Sequence, residues 1–516
     1  MTKAWWQKQL HSWLPWIIIA AAFVVRLYQI NAPLADWHSF RQADTASVTR
    51  EYVKNGIDLL RPKYHDLSNI QSGEDNLEGW RMVEFPIINA VIALILRLNT
   101  GWDLVVVSRL ASVAASAVSI GAFYWLLKQL RGTSVALAAA LAWALMPYAI
   151  YYGRVILPEP FVILFMSLAW VCWYKWLTNR RNKFVWLLVS GLLLALALLV
   201  KPMAAFLMPL MVGLIFERPR RFVGKASHIV RNLLLIALTF ILAVIPLLLW
   251  RRWILNFPTG IPASDWLFNG NHIRLKPAWW RWLMADRIGR LMFGYWGAAL
   301  LIFGLVFSIP EKIVAKRYLA LWPKQINLII SFFLTWFEKS GALIFGVLGI
   351  LAYLIVFATG NVQHDYYQII LLPIIVWLFA EGVVGLVNIM TSTFRRLAML
   401  AALSTIIIFS WLFAWYHVGD FFHINNPAIV SAGKAVDQLA PPDALVIAPY
   451  QGDTAFLWQT NRRGWPIGFE IEEKIKLGAQ FYVSTTKDDE VNELRDRYSV
   501  LAETDGYIIF DLREEI

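Results

Sequence analysis

Apolar residues in this chain arrive in long unbroken runs, such as 135–151 and 191–200, and not in the alternation of a half-buried strand. A helix that crosses a bilayer needs about 20 such residues, because its whole surface meets lipid or other apolar helices. The pattern predicts about eleven spans, near 14–30, 104–127, 134–152, 160–178, 184–200, 203–216, 229–249, 291–309, 340–358, 366–388 and 397–417. Two further stretches, 87–98 and 328–337, are short and amphipathic, and read as helices lying at the interface. If both crossed, the count would be thirteen. Beyond His423 the pattern changes. Short strand-like runs at 445–448, 480–483 and 507–510 alternate with helical candidates at 431–439 and 489–498, which predicts a small α/β domain. The expected organisation is an all-α membrane region over 1–422, with outer loops 31–103 and 251–290, followed by a soluble unit over 423–516.

Composition agrees with this division. Of 516 residues, 59% are hydrophobic and 16% charged, against about 25% charged in a typical soluble domain. Residues 1–423 carry 38 basic and 19 acidic side chains, whereas 424–516 carry 9 and 16. The basic part suits lipid phosphates, and nothing in the pattern suggests nucleic acid as a partner. Short Lys/Arg clusters sit at Lys128/Arg131, Arg180/Arg181/Lys183, Arg218 to Lys225, Lys312/Lys316/Arg317 and Arg395/Arg396. Placing them all in the cytoplasm satisfies the positive-inside rule with eleven spans. The first span, preceded by Lys3 and Lys8, then reads as an uncleaved signal anchor, and the acidic tail lies outside the cytoplasm.

With that orientation, the polar residues converge on one face. The first outer loop opens with Asp36-Trp37-His38-Ser39-Phe40-Arg41-Gln42-Ala43-Asp44, and the spacing of Asp44, Val48, Glu51 and Tyr52 predicts a surface helix. Glu84, Arg154, Glu159, Lys201, His364 and Tyr366 fall in the same set of outer turns. Each has an ordinary explanation as well: Asp44 or Glu159 as a helix cap, Lys201 as a snorkelling side chain. The second outer loop keeps Arg251, Arg252, Arg274, Lys276, Arg281, Arg287 and Arg290 outside, where anionic headgroups or a lipid phosphate would balance them.

The ordered set Phe40-Arg41-Gln42-Ala43-Asp44-Thr45-Ala46, Glu84-Phe85-Pro86, Arg109-Leu110, Pro158-Glu159 and Lys201-Pro202 resembles the bacterial membrane glycosyltransferases of the glycosyltransferase C superfamily. These are related to aminoarabinose transferases and protein O-mannosyltransferases. The match in order and spacing runs over 14–220, and His364-Asp365-Tyr366-Tyr367 with Leu371-Leu372-Pro373 extends it to about 390. The tail is similar to the small extracytoplasmic domain of that group. The resemblance implies transfer of a sugar from a polyprenyl-phosphate donor to a lipid, glycan or protein acceptor, with inversion, at the outer face of a bacterial inner membrane. It makes Asp44 the matching loop acid, as base or acceptor-orienting group, with Asp36 as runner-up and Glu84 next. Many relatives carry an Asp-Glu pair in this loop, where this chain has Asp36-Trp37-His38. Substrate contacts are expected from His38, Arg41, Gln42, Arg154, Glu159, Lys201, His364 and Tyr366. A carboxylate taking the acceptor proton and cations meeting the phosphate leaving group suffice for this chemistry, and no cofactor or metal is expected. Rival readings are a flippase for lipid-linked sugars, or a glycan ligase using a pyrophosphate donor. A flippase would be expected to carry inverted repeats and midplane charge, which the sequence lacks.

Overall fold

The computed structural model describes residues 3–179, 181, 183–222, 225–312 and 324–516. Of the basic clusters, Arg180, Lys316 and Arg317 lie outside them. Among the described residues seven helices are long and apolar enough to cross a membrane, or eight if the bent pair Pro277–Met292 and Trp296–Ser308 counts as one. Shorter apolar helices at Trp13–Val25, Thr133–Leu145 and Pro202–Glu217 occupy three further expected positions, so a count near eleven requires treating these as spans. The class is as expected: a helical membrane bundle with a small C-terminal sheet.

Two ends of the bundle are chemically distinct. At one, Arg131 chelates Glu217 with two 2.9 Å bonds and reaches Glu381 at 3.0 Å, while Lys339 donates to the Phe307 and Ile309 carbonyls. At the other stand the loop residues Asp36, Arg154, Glu159, Lys201 and Asp365. Helices cross closely where side chains vanish. A Cβ on Gly304 would lie 1.9 Å from the Leu378 carbonyl oxygen, and one on Gly382 would lie 2.1 Å from that of Leu300. Small residues of this kind let backbones approach where lipid supplies no hydrophobic drive for association. The Ala226–Ile254 helix, by contrast, exposes Leu234, Leu238, Ile241 and Leu249 at the edge of the bundle, where lipid solvates them.

The two amphipathic stretches have different fates. Ile87–Leu98 lies against Ser39–Asn55: Asn89 donates to the Thr45 carbonyl and the Thr49 hydroxyl, while Val91, Leu94 and Leu98 stay exposed. The 328–337 stretch is no separate element; it belongs to Lys324–Val356, which breaks at Ser340 (φ −139°, ψ 24°). In the second outer loop Pro277–Met292 turns through 110° into Trp296–Ser308. Gly294 (φ 52°) and Tyr295 (φ 64°) make the turn, and a Cβ at Gly294 would strike the Ser410 carbonyl.

The tail forms a five-stranded sheet. Its strands are β1 (Leu445–Ile447), β2 (Arg463–Trp465), β3 (Ala479–Ser484), β4 (Tyr498–Glu503) and β5 (Ile508–Glu515), in the order β2-β1-β3-β5-β4. The first three are parallel and β5 is antiparallel to both its neighbours. The sequence had Tyr498 in a helix; that helix stops at Arg495 and Tyr498 opens β4. β2 is an edge strand, and the loop over 31–103 covers it. The Gly464 N–H donates to the His65 carbonyl at 2.9 Å, and the Leu67 N–H donates to that of Gly464 at 2.8 Å. The sheet is thereby extended by a piece of the membrane region, which closes its exposed edge.

Candidate active site

Everything at the polar end is arranged around Ser39–Asn55. The expected surface helix is mostly buried, lying between the bundle and the C-terminal domain. It starts at Ser39 with His38 in the left-handed region (φ 54°), so Asp44 sits in its second turn and caps nothing. Arg41, Thr45 and Val48 follow at spacings of four and three and share a face. Arg41, Asp44, Thr45 and Val48 line a cleft together with Arg81 and Glu84. The space in it open to a water-sized molecule is about 40 Å³.

Charge in this cleft is balanced pair by pair. Arg41 is joined to Glu84, and Lys201 to Glu159. Arg81 meets Asp44 at 3.0 Å. Asp44 Oδ2 also accepts from the Gln71 amide at 2.9 Å, and Oδ1 accepts from the Thr454 hydroxyl of the C-terminal domain at 2.8 Å. Lys201 lies over the rings of Tyr367 (4.9 Å) and Tyr366 (5.6 Å). The second oxygen of Glu159 is buried with no hydrogen-bond partner among the described residues. Burial pushes the Glu84 carboxyl up, but Arg41, Lys201 and Arg81 outweigh it and hold Glu84 below the ordinary carboxylate value. Glu84 keeps 19% of its side chain exposed, against 2% for Asp44 and 1% for Glu159, so it is the carboxylate an incoming molecule meets first.

Asp36, Gln42 and Arg154 are brought together elsewhere. Asp36 is fully buried and accepts from Arg154 (2.8 Å), Arg109 (3.3 Å) and the Gln42 amide (2.9 Å). Both arginines also donate to carbonyls of the loop, Arg154 to Gln29 and Arg109 to Ile30 and Ala32. This cluster ties the loop to the bundle behind the helix, and all three side chains are buried and outside the lining of the cleft. His38, His364 and Tyr366 stand together at the start of the helix. The His38 ring is 5.1 Å from Tyr366 and 5.6 Å from His364, and its Nε2 is 2.5 Å from Asp365 Oδ1.

Sequence reasoning missed Arg81, Asp365 and Thr454. Arg81 lies three residues before Glu84, and Asp365 beside His364, so both had a nearby signal. Thr454 had none, because only docking of the tail brings it to Asp44. Among the described residues no group of three or more His, Cys, Asp or Glu side chains is spaced to hold a metal ion.

Below the cleft, Phe85 also lines an apolar groove with Leu199, Pro246, Leu249, Trp250 and Trp253, on the side of the lipid-exposed helix. Residues 84–250 match the family of dolichyl-phosphate-mannose-protein mannosyltransferases. No curated protein matches the sequence significantly. ArnT from Cupriavidus metallidurans bound to undecaprenyl phosphate superposes with a TM-score of 0.57 at 12% identity, over 96% of this chain and 97% of that one. The chain shares the fold of that ArnT structure. Other solved structures extend the likeness. The Archaeoglobus fulgidus oligosaccharyltransferase in complex with Zn and sulfate gives 0.53 at 12% identity, over 96% of this chain and 73% of that one. Archaeal AglB from the same organism, in complex with an inhibitory peptide and a dolichol-phosphate, gives 0.50 at 11%, over 93% and 70%. At these identities the likeness is one of fold.

Proposed function

We propose that the chain is an inverting glycosyltransferase that moves a sugar from a polyprenyl-phosphate donor to an acceptor on a lipid, glycan or protein. The proposed setting is the outer face of a bacterial inner membrane, with the C-terminal domain outside the cytoplasm. One observation carries this reading: Phe85 joins a cleft holding Arg41 and Arg81, with Lys201 close enough to act on Glu84, to an apolar groove beside a lipid-facing helix. A long isoprenoid with a charged phosphate at one end needs that combination. The polar head requires cations and the tail requires a groove open to lipid.

In this reading the three cations meet the charge that develops on the phosphate as the glycosidic bond breaks, a role worth about 10²–10³ in kcat per well-placed donor. Their resting partners Asp44, Glu84 and Glu159 keep them desolvated and aimed until the donor arrives. Asp44 aims Arg81, and Glu84 yields Arg41 to the phosphate. Arg252 lines the groove, where a lipid headgroup can meet it.

The test is a transfer assay in nanodiscs with a panel of undecaprenyl-phosphate sugars, comparing wild type with Asp44→Asn and Arg41→Gln. Release of polyprenyl phosphate by wild type, reduced about 100-fold or more in each variant with the protein still folded, supports the reading. Wild-type rates in both variants would remove the cleft from the mechanism. Donor movement across the bilayer without transfer would favour a flippase.

A further inference from the structure

Transfer to a hydroxyl leaves one proton to be placed, and the carboxylates of the cleft are poorly suited to take it. Asp44 has both oxygens occupied by Arg81, Gln71 and Thr454; Glu84 and Glu159 are each tied to a cation; Asp36 is sealed between two arginines. An acceptor hydroxyl would have to displace these contacts to reach the same oxygens, and the one unpartnered oxygen, the second of Glu159, is buried.

His38 differs. Its Nε2 lies 2.5 Å from Asp365 Oδ1, and that carboxylate is only 3% exposed. Asp365 also accepts from the Tyr152 hydroxyl at 2.5 Å and from the Trp37 indole N–H at 3.1 Å. A carboxylate fixed from three directions beside an imidazole sets the tautomer: the proton sits on Nε2 and the Nδ1 lone pair is free. Nδ1 has no hydrogen-bond partner among the described residues. The positive φ of His38 is unfavourable for a side chain with a Cβ, and strain of this kind is held in place by surrounding structure at working sites. It precedes the helix that carries Arg41 and Thr45 into the cleft, and Tyr366, 5.1 Å from its ring, stands 5.6 Å from the Lys201 ammonium. Around the imidazole, Phe40 at 6.0 Å, His364 and Tyr366 form an aromatic wall, and Trp266 stands edge-on to His364 at 5.6 Å.

We infer that His38, oriented by Asp365, is the general base of the transfer, and that the acceptor is therefore a neutral hydroxyl and not a phosphate. A phosphate acceptor is already ionised and needs no base; a hydroxyl gains about 10²–10⁴ in rate from one. The acceptor oxygen bonds to the anomeric carbon, and the bond from that carbon to the phosphate oxygen breaks with its electron pair leaving on the phosphate. The hydroxyl proton goes to Nδ1. Asp365 holds the resulting imidazolium until the proton passes to water after the product leaves. This assignment rests on the glycosyltransferase reading above.

The groups facing His38 are Asp365, Tyr152 and Trp37 on its Nε2 side, His364 and Tyr366 across the ring, and Asp453 from the C-terminal domain. Arg287 and Lys201 act on it more remotely, through Asp365 and His364. Burial, with repulsion from His38, pushes His364 down to about 4, so it stays neutral at working pH and does not compete as a cation.

The experiment uses the full chain in nanodiscs, with a donor that wild type consumes, and compares His38→Gln, His38→Gly and Asp365→Asn. Glycine accepts the positive φ, so His38→Gly keeps the backbone. The expected results are a loss of about 10²–10⁴ in kcat for His38→Gln with donor binding retained, and partial restoration of His38→Gly by added imidazole. The acid limb of the kcat–pH profile should vanish in His38→Gln. It should move to lower pH in Asp365→Asn, where the imidazolium loses its counter-charge. Wild-type kcat in His38→Gln, or no imidazole rescue with an unmoved acid limb, overturns the assignment while leaving the transferase reading intact. If wild type consumes no donor from the panel, the transferase reading itself fails.

Discussion

Asp36 shows how little a residue type says until its partners are known. As an acid in the first outer loop it was a candidate base; as a side chain with two buried arginines on it, it is an anchor. Removing one member of a buried charge cluster costs about 3–5 kcal/mol, because the rest stay buried and uncompensated. Asp36→Asn is therefore expected to lower the thermal midpoint clearly, in parallel with any loss of activity. An activity loss at unchanged midpoint would contradict the anchoring role. Asp66 supplies a pH-dependent case. Burial, partly offset by hydrogen bonds from Ser68, pushes its carboxyl up to about 7. The folded chain thus keeps a proton that the unfolded chain loses near pH 4, and stability falls as pH rises through 7. Thermal midpoints at pH 5 and pH 8 should show a drop in wild type that is smaller in Asp66→Asn; equal drops would show that Asp66 is not the group responsible.

Among the elements, helix contacts are set by small residues and breaks by local backbone chemistry. The reciprocal approach of Ala299–Ser308 and Leu372–Asn388 depends on Gly304 and Gly382. Gly304→Ala puts a methyl 1.9 Å from the Leu378 carbonyl, so the two helices must separate. Overpacking of this kind costs roughly 1–3 kcal/mol. The expected outcome is a lower thermal midpoint in detergent, which Gly419→Ala should not reproduce, since its Cβ would meet nothing nearer than 3.6 Å. The break at Ser340 has a similarly local cause. Its hydroxyl donates to the Ser308 carbonyl at 2.9 Å, and Glu217, a side chain from another helix, accepts from the Ala342 N–H at 2.8 Å beside the kink.

At the level of the whole molecule, the C-terminal domain is docked onto the loop over 31–103 by more than sheet extension. Arg50 lies 4.2 Å over the Trp458 ring and donates to its carbonyl, Gln459 donates to the Leu34 carbonyl, and Thr454 reaches Asp44. The domain therefore supplies part of the cleft's hydrogen bonding. Thr454→Val keeps the shape and removes one donor to a carboxylate, an interaction worth about 1.5–3 kcal/mol. Transfer is expected to fall by about tenfold or more with Thr454→Ser near wild type; equal rates in all three would make the contact incidental to catalysis.

The legible part of this protein was what depends on one segment at a time. Apolar runs such as 366–388 announce helices because lipid forces every backbone bond to be satisfied within the segment, and the polar turns holding Asp44, Glu159, Lys201 and His364 stood out against them. Short runs at 445–448, 480–483 and 507–510 likewise marked three strands, whereas β2 and β4 carry too few alternating residues to register. Tertiary structure alone decided which acid faces the cleft and which is sealed. Asp36 and Glu84 look alike as sequence, but the first is closed in by arginines 73 and 118 positions away and the second by an arginine 43 positions away at an open mouth. It also decided the union of Thr454 with Asp44, 410 positions apart, and of His38 with Asp365, 327 apart. Local sequence carries the solvent preference of each segment; the partners of a buried charge are chosen by the packing of the whole chain.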